Sequence, residues 1–345
     1  MHMADALLSP AVGGTLWAAA AGTIAYCAKK VQHDLDDRTI PLMGVLGAFI
    51  FAAQMINFTI PATGSSGHLG GGMILAILLG PQAAVLTMAS VLTVQALFFA
   101  DGGLLALGCN IVNLGVLPCC LAYPLLYKPL AGKGKNPLRI AIGATLAGIV
   151  GLQLGALGVV FETTLSGIAA LPLSTFLWVM LPIHLAIGLV EGLVTTAVIS
   201  FVGKARPEIL ELSATARPLG KLSLTKVLIG LAVAATITGG VLSWFASSLP
   251  DGLEWSIEQT TGRETLAAPE KGLHPILAAL QEKTAFLPAY SFRANGQEPI
   301  AREKTPPSWP AVDTGTTVSG LVGGGLTLLL AVGLGFLFRK RGAIR

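Results

Sequence analysis

Nine apolar runs divide the sequence, and most of them continue for about twenty residues without a charged side chain. Such a run is long enough to cross the roughly 30 Å hydrocarbon core of a membrane as a helix. Hydrophobic residues make up 53% of the chain and charged residues only 12%, which excludes an ordinary soluble domain. Because backbone groups in lipid must be satisfied within the protein, we predict an all-α, polytopic membrane helix bundle. The predicted segments are 12–28, 41–60, 73–79, 82–99, 104–127, 140–160, 176–202, 227–249 and 318–338.

Lysine and arginine residues set the predicted orientation of these segments. With the N-terminus outside and the C-terminus inside, 16 of the 22 Lys and Arg residues lie on the cytoplasmic side or its boundary. The other six lie in one long outer stretch, 250–317. Positive charge does not indicate the side of the membrane for such a stretch, because long segments translocate largely regardless of charge. We therefore predict a membrane domain (1–205), a cytoplasmic linker (206–225) and a two-span module around the outer stretch (226–345). The first residues lack the basic region of a signal peptide, so we expect the N-terminus to be retained.

The third apolar run, 73–79, is too short to span a membrane alone. It follows a loop rich in glycine and serine, 62–72, and is broken at Gly80 and Pro81. Irregular backbone at membrane depth is tolerated only where protein or a water-filled cavity satisfies its polar groups. We therefore expect the loop to fold into the bundle, and we interpret it as the place of a functional site.

The first two residues, Met1 and His2, offer a way to bind a divalent metal ion. The Met1 amine, the amide nitrogen between the two residues and the His2 imidazole can close two fused chelate rings, which leaves one corner of a square open. Planar sets of nitrogen ligands suit nickel(II), copper(II) and some cobalt(II) sites. Every chain begins with Met, however, so chance explains these two residues, taken alone, better than a metal site does.

His68, in the glycine-rich loop, lies on the same predicted outer face and can supply the fourth nitrogen. A lone loop histidine is more often solvated, but together with Met1 and His2 it favours a metal site. Polar side chains within or beside the apolar runs have two possible roles, and the sequence does not separate them. They can orient metal ligands, or they can join helices by hydrogen bonds. These residues are Gln54, Asn57, Ser66, Gln95, Asn110 and Asn113.

His184 and Glu191 lie seven residues apart within one apolar run and share a helix face. Ionisable residues inside membrane segments are functional candidates by default. A proton relay is one interpretation, and a structural role or contact with a partner protein is the other.

Three common catalytic or nucleotide-binding motifs are absent from the sequence. It has no His-Glu-x-x-His, no Gly-x-Ser-x-Gly and no phosphate-binding Gly-x-x-x-x-Gly-Lys-Ser/Thr. We therefore predict that the chain is not an enzyme and that ATP hydrolysis, if it drives transport, takes place on other chains. The open alternative is a secondary permease in which His184, Glu191 and Asp101 couple metal to protons, although the His-x-x-x-x-Asp-His signature typical of such permeases is absent.

Several ordered motifs resemble the CbiM/NikM family, the substrate-binding membrane subunits of energy-coupling-factor transporters for cobalt and nickel. Besides the terminal Met-His, they are Gln54-Met-Ile-Asn-Phe58, Ser66-Gly-His-Leu-Gly70, Leu79-Gly-Pro81, Gln95-Ala-Leu-Phe-Phe-Ala-Asp-Gly-Gly103 and Leu107-Gly-Cys-Asn110. The similarity continues through His184 and Glu191 and covers about residues 1–205. The stretch Leu249-Pro-Asp-Gly-Leu-Glu-Trp255 resembles the PDGLE module, and the two-span layout around it is similar to the small CbiN/NikN subunits. The whole chain thus resembles a natural fusion.

The resemblance implies a transporter subunit that carries nickel(II) or cobalt(II) as its substrate. The implied ligands are the Met1 amine, the His2 amide and imidazole nitrogens and the His68 imidazole. The implied partners are a transmembrane coupling subunit similar to CbiQ/NikQ and ATPase subunits similar to CbiO/NikO, in the membrane lipid of a bacterial or archaeal cell, with cobalamin biosynthesis as one use of the metal. No nucleic-acid partner is expected. For His184 and Glu191 the resemblance favours structure or partner contact over a proton relay.

Overall fold

The fold is known from a computed structural model, which describes residues 2–34, 36–215, 222–293 and 309–339. Helices dominate these residues, and the predicted all-helical membrane class is confirmed. The α-helices are α1 (Pro10–Asp34), α2 (Thr39–Gln54), α3 (Gly72–Leu79), α4 (Pro81–Phe99), α5 (Leu107–Ile111), α6 (Lys128–Ala131), α7 (Pro137–Ser166), α8 (Leu173–Ala205), α9 (Pro207–Ala214), α10 (Thr225–Gly240), α11 (Gly252–Thr261), α12 (Leu273–Thr284) and α13 (Thr314–Phe338). A π-helix (Val112–Tyr127) joins α5 to α6, and 3-10 turns cover Asp5–Leu7, Leu242–Phe245 and Pro288–Tyr290.

Six helical stretches of the described chain are long and apolar enough to cross a membrane. They are α1, α4, the continuous stretch Leu107–Ala131, α7, α8 and α13. The apolar helices α2 and α10 are shorter, with 16 residues each, and α3 has only eight. These three correspond to the remaining predicted segments. The total of nine crossings and their orientation stay predictions.

Two predicted segments have different boundaries in the structure. The segment predicted at 41–60 is helical only to Gln54, and a strand, β1 (Phe58–Ile60), follows it. β1 pairs antiparallel with β2 (Ser65–Gly67), which satisfies backbone groups where the chain turns into the bundle. The segment predicted at 227–249 ends as an α-helix at Gly240.

The outer stretch predicted as a long polar loop contains two helices, α11 and α12. α11 begins with a capping box, in which the Asp251 carboxylate accepts the Leu253 and Glu254 amide protons at 2.8 and 2.9 Å. Glu254 in turn accepts the Asp251 amide proton at 3.1 Å. The Pro-Asp-Gly sequence is therefore the start of a helix in this chain as well as a turn.

The glycine-rich loop folds into the bundle as expected. Residues 65–71 are buried, and a Cβ atom at Gly67 would lie 2.5 Å from the Ile187 side chain in α8. At Gly71, φ is +79° and a Cβ atom would lie 2.7 Å from Ile50 in α2. Only glycine fits such close approaches, so the loop wedges between α2 and α8.

Candidate metal site at the N-terminus and the inserted loop

The N-terminal segment is fixed to the turn between α4 and α5 by its backbone. The Met3 amide donates to the Asn110 side-chain oxygen at 2.8 Å, and the Met3 carbonyl accepts from Asn110 Nδ2 at 3.3 Å and from the Gly103 amide at 2.9 Å. Gly102 has a φ of +80°, and a Cβ atom there would lie 3.4 Å from the Cβ atom of His2. This arrangement turns His2 inward. Met1 lies outside the described residues.

The inserted loop brings His68 to His2. The two imidazole rings stack with their centroids 4.9 Å apart and an interplanar angle of 3°. His68 is buried, with 7% of its surface exposed. Two predicted metal ligands that are 66 positions apart in the sequence are therefore in contact.

Each of these histidines also faces a carboxylate. His2 Nδ1 lies 3.2 Å from Asp101 Oδ1, and His68 Nε2 lies 3.8 Å from Asp251 Oδ2. The Tyr290 hydroxyl donates to the other oxygen of Asp101. Burial acts to raise the pKa of Asp101, but the adjacent His2 and the hydrogen bonds from His2 and Tyr290 outweigh it and hold the pKa well below its usual range.

The hydrogen bonding of His68 defines its tautomer. Its Nδ1 lies 3.0 Å from the Leu69 carbonyl oxygen, which can only accept, so Nδ1 carries the proton and Nε2 carries the lone pair. Burial lowers the pKa of His68 to about 3, so the ring is neutral at neutral pH. A neutral imidazole nitrogen is the form that binds transition metals. In this orientation the lone pair and the Asp251 carboxylate are both acceptors, an arrangement that a cation would stabilise.

Most of the predicted polar residues hold this arrangement in place. Gln54 donates to the Gly70 carbonyl at 2.8 Å, and Gln95 donates to the Gln54 side-chain oxygen at 2.9 Å. The Ser66 amide donates to the Pro250 carbonyl at 2.8 Å, so the loop is also bonded to the second module. A chain of hydrogen bonds from α4 through α2 therefore reaches the loop that carries His68.

The remaining two predicted amides contact other parts of the chain. The Asn113 side-chain nitrogen donates to Glu162 at 2.8 Å and lies 3.9 Å from the Met3 sulfur, so Asn113 contacts the N-terminal segment. The Asn57 carbonyl accepts from the Ser247 amide at 2.7 Å, which joins the hairpin to the second module. The described contacts of Asn57 do not bring it to the histidines.

His184 and Glu191 both face the inserted loop from α8. Glu191 accepts the amide protons of Gly70 and Gly71 at 2.8 and 2.9 Å. His184 Nδ1 lies 2.8 Å from the Met180 carbonyl oxygen. Glu191 therefore anchors the loop.

Asp251 and Tyr290 were not among the predicted site residues, and Asp101 was considered only for the permease alternative. Asp101 and Asp251 lie within the quoted motifs, but the motifs do not indicate that these carboxylates lie beside the histidines. Tyr290 carries no sequence signal that separates it from the rest of the outer stretch. In the described part of the chain, no group of three or more His, Cys, Asp or Glu side chains could hold a metal ion.

Comparison with known proteins gives two family matches. The family described as "Cobalt uptake substrate-specific transmembrane region" matches residues 2–209, and the PDGLE domain matches residues 225–340. The "Fused nickel transport protein NikMN" of Rhodobacter capsulatus is 31% identical over 80% of this chain and 82% of its own length. The "Probable fused nickel transport protein LarMN" of Lactiplantibacillus plantarum is 35% identical over 76% of this chain and 80% of its own. A crystal structure of a truncated transition metal transporter, 31% identical, has a TM-score of 0.52 and covers 59% of this chain and 99% of that one.

Proposed function

This chain belongs to the cobalt-uptake substrate-specific transmembrane family, and from that membership we propose that it is the substrate-binding membrane component of an energy-coupling-factor importer for nickel(II) or cobalt(II). Its fused relatives are named nickel transport proteins and its family is described by cobalt uptake, so both ions are considered. The observation that supports the proposal most strongly is the parallel stack of His2 on His68 inside the bundle. The domain division at 206–225 belongs to the same proposal.

The proposed ligands are four nitrogens: the Met1 amine, the His2 amide, the His2 imidazole and the His68 imidazole. The six-membered chelate ring closes through His2 Nδ1, which faces Asp101 in this structure. His2 Nε2 is buried without a hydrogen-bond partner among the described residues, so a turn of the ring breaks the contact between Nδ1 and Asp101 and the stack on His68 but no hydrogen bond of Nε2. Loading then requires His2 to move from its stacked position, with Asp101 and Asp251 offsetting the positive charge of the ion.

The energy for import is assigned to partner chains. We propose a coupling subunit similar to CbiQ/NikQ and ATPases similar to CbiO/NikO, because the sequence has no phosphate-binding loop. The chain crosses the cell membrane of a bacterium or archaeon nine times in this proposal, with the metal site on the outer side. The proton-coupled permease is not favoured, since Glu191 is engaged by two loop amides and Asp101 by His2 and Tyr290.

The decisive experiment changes the N-terminus itself. Nickel and cobalt binding at equilibrium would be measured for purified protein with its native N-terminus and for protein whose Met1 amine is blocked by acetylation. We expect the block to abolish tight binding without unfolding the protein, because an acetylated amine cannot bind a metal ion and one chelate ring is lost. Equal binding by both forms would contradict the proposed ligands.

Single substitutions then test the two side chains. His2→Ala and His68→Ala should abolish tight binding, whereas His33→Ala, at the exposed end of α1, should not. His274 is not a suitable control, because its Nε2 lies 2.9 Å from the Leu8 carbonyl and helps to hold the N-terminal segment.

A further inference from the structure

His184 is a buried histidine whose second ring nitrogen has no assigned role. Its Nδ1 contacts the Met180 carbonyl oxygen at 2.8 Å, and because a carbonyl only accepts, Nδ1 carries the ring proton. Nε2 therefore bears a lone pair. That atom is buried and has no hydrogen-bond partner within the described residues, and only 1% of the residue is exposed. A buried nitrogen left without a partner is costly, so it calls for an explanation.

The neighbourhood of this lone pair is a small cavity. Its volume is about 10 Å³, and its lining includes both His184 and His68, together with Gly67, Leu114, Leu152 and Gly252. A Cβ atom at Gly252 would lie 3.3 Å from His184 Nε2, so only the missing side chain of Gly252 keeps this space open. The cavity has room for a single water or a bare ion and excludes a hydrated one.

This cavity has a neighbour further along α8. A second cavity of similar size shares the Leu114 and Leu152 walls and is lined by Glu191 and Asn113. Glu191 follows His184 by two helical turns on the same face of α8, which places it roughly 10 Å further along the helix. His184 and Glu191 therefore line two neighbouring cavities, and the first of these cavities also contacts His68.

We propose that His184 Nε2 is a transfer ligand, which binds the nickel or cobalt ion together with His68 after the ion leaves the terminal chelate. The inference rests on the proposed function and adds the first inward step of release. His68 is shared by the outer and the inner positions, so the ion exchanges ligands one at a time and is never bare. The imidazole is already in the tautomer that a transition metal requires.

The test separates the inner position from the outer one. In full-length purified protein that carries His2→Ala, the outer chelate lacks its imidazole, and cobalt(II) alone would be titrated while its visible absorption is followed. We expect a weak site with the absorption of nitrogen-bound cobalt. His184→Gln should abolish that absorption, since glutamine retains a donor for the Met180 carbonyl but lacks the imidazole lone pair. His68→Ala should abolish it as well, whereas His33→Ala should leave it unchanged.

Two results would overturn the proposal: no cobalt absorption in the His2→Ala protein up to millimolar metal, or an absorption that His184→Gln does not alter. If His184→Gln does not fold, His184→Met supplies a second variant of similar volume, and it should shift the absorption because a thioether replaces a nitrogen. Failure of the proposed function is recognised separately, because His2→Ala would then leave tight nickel binding intact.

Discussion

At the scale of single residues, the candidate site consists of two histidines with a carboxylate beside each. Asp101 Oδ1 lies 3.2 Å from His2 Nδ1, and Tyr290 fixes the other oxygen of that carboxylate. Because Nδ1 is also the proposed metal-binding atom of His2, the contact with Asp101 opens when the chelate closes, and the carboxylate then acts through its negative charge. Asp101 therefore matters in this site although it is not one of the proposed ligands.

Asp101→Asn should weaken nickel binding by about tenfold, because the amide keeps the shape of the side chain and loses the negative charge that offsets the ion. The measurement is competition of purified protein with a chelator of known affinity. Glu264→Gln, an exposed carboxylate in the outer stretch, is the matched control and should leave the affinity unaltered. Unaltered affinity in Asp101→Asn as well would show that the Asp101 charge does not contribute to metal binding.

The protonation of His68 gives a prediction for pH. Its pKa is lowered to about 3 by burial, against about 6.5 in an unfolded chain. The unfolded chain therefore binds more protons between these values, and the contribution of His68 to stability is complete above pH 6.5 and is lost as the pH falls toward 3. NMR of ring-labelled histidine in detergent, assigned with His68→Gln, should show a neutral His68 ring at pH 5. Titration of that ring near pH 6.5 would contradict the burial.

Residue type and position alone predicted His2 and His68, because a terminal Met-His and a glycine-rich loop are visible in the sequence. Asp251 and Tyr290 could not be predicted in the same way. Asp251 is 183 positions from His68 and Tyr290 is 189 positions from Asp101, so only the docking of the second module brings them to the histidines. Long-range contacts of this kind leave no periodic pattern in a single sequence.

At the scale of elements, the inserted loop is held by its neighbours more than by its own structure. Its hairpin is only three residues long on each side, and its glycines have little intrinsic order. Glu191 in α8 supplies acceptors for two consecutive loop amides, Gly70 and Gly71. A buried amide that loses its acceptor costs about 1–3 kcal/mol, so Glu191 contributes substantially to the position of His68.

Glu191→Ala should therefore release the loop, lower the melting temperature and weaken metal binding by at least about tenfold, which corresponds to 1.4 kcal/mol. Glu191→Gln, which keeps one acceptor oxygen, should lose less. Hydrogen exchange at Gly70 and Gly71 gives the direct readout, with faster exchange expected in Glu191→Ala. Glu211→Gln, which breaks a half-exposed pair with Lys135, should change neither quantity.

The apolar helices were predictable because the bilayer imposes their length, and the broken run at Gly80 correctly indicated an inserted loop. The hairpin and the polar helices α11 and α12 were not predicted. Strands of three residues are too short to show alternation, and α11 and α12 are too polar to be recognised by a search for apolar runs. For α11, the capping pair Asp251 and Glu254 was the available signal.

At the scale of the whole molecule, the two modules share one interior. α13 of the second module packs along α2, a largely buried helix of the first, and α10 packs beside both. Glycines make this contact possible, since a Cβ atom at Gly323 would lie 2.0 Å from the Phe51 ring and 2.8 Å from the Phe99 ring. Close packing of small residues is what holds helices together in lipid. We therefore expect the modules to stay in contact without the covalent linker.

Residues 1–215 and 222–345, expressed together as separate chains with a tag on one, should purify as a complex, because the packed helices remain. In that split protein, Gly323→Leu should reduce recovery of the untagged chain strongly, since overpacking against two aromatic rings costs about 1–3 kcal/mol or more. Gly325→Leu is the matched control on the same helix, as a Cβ atom there meets nothing within 4 Å. Co-purification that is lost without any substitution would mean that the linker holds the modules together. Equal recovery of both leucine variants would mean that α13 does not dock through Gly323.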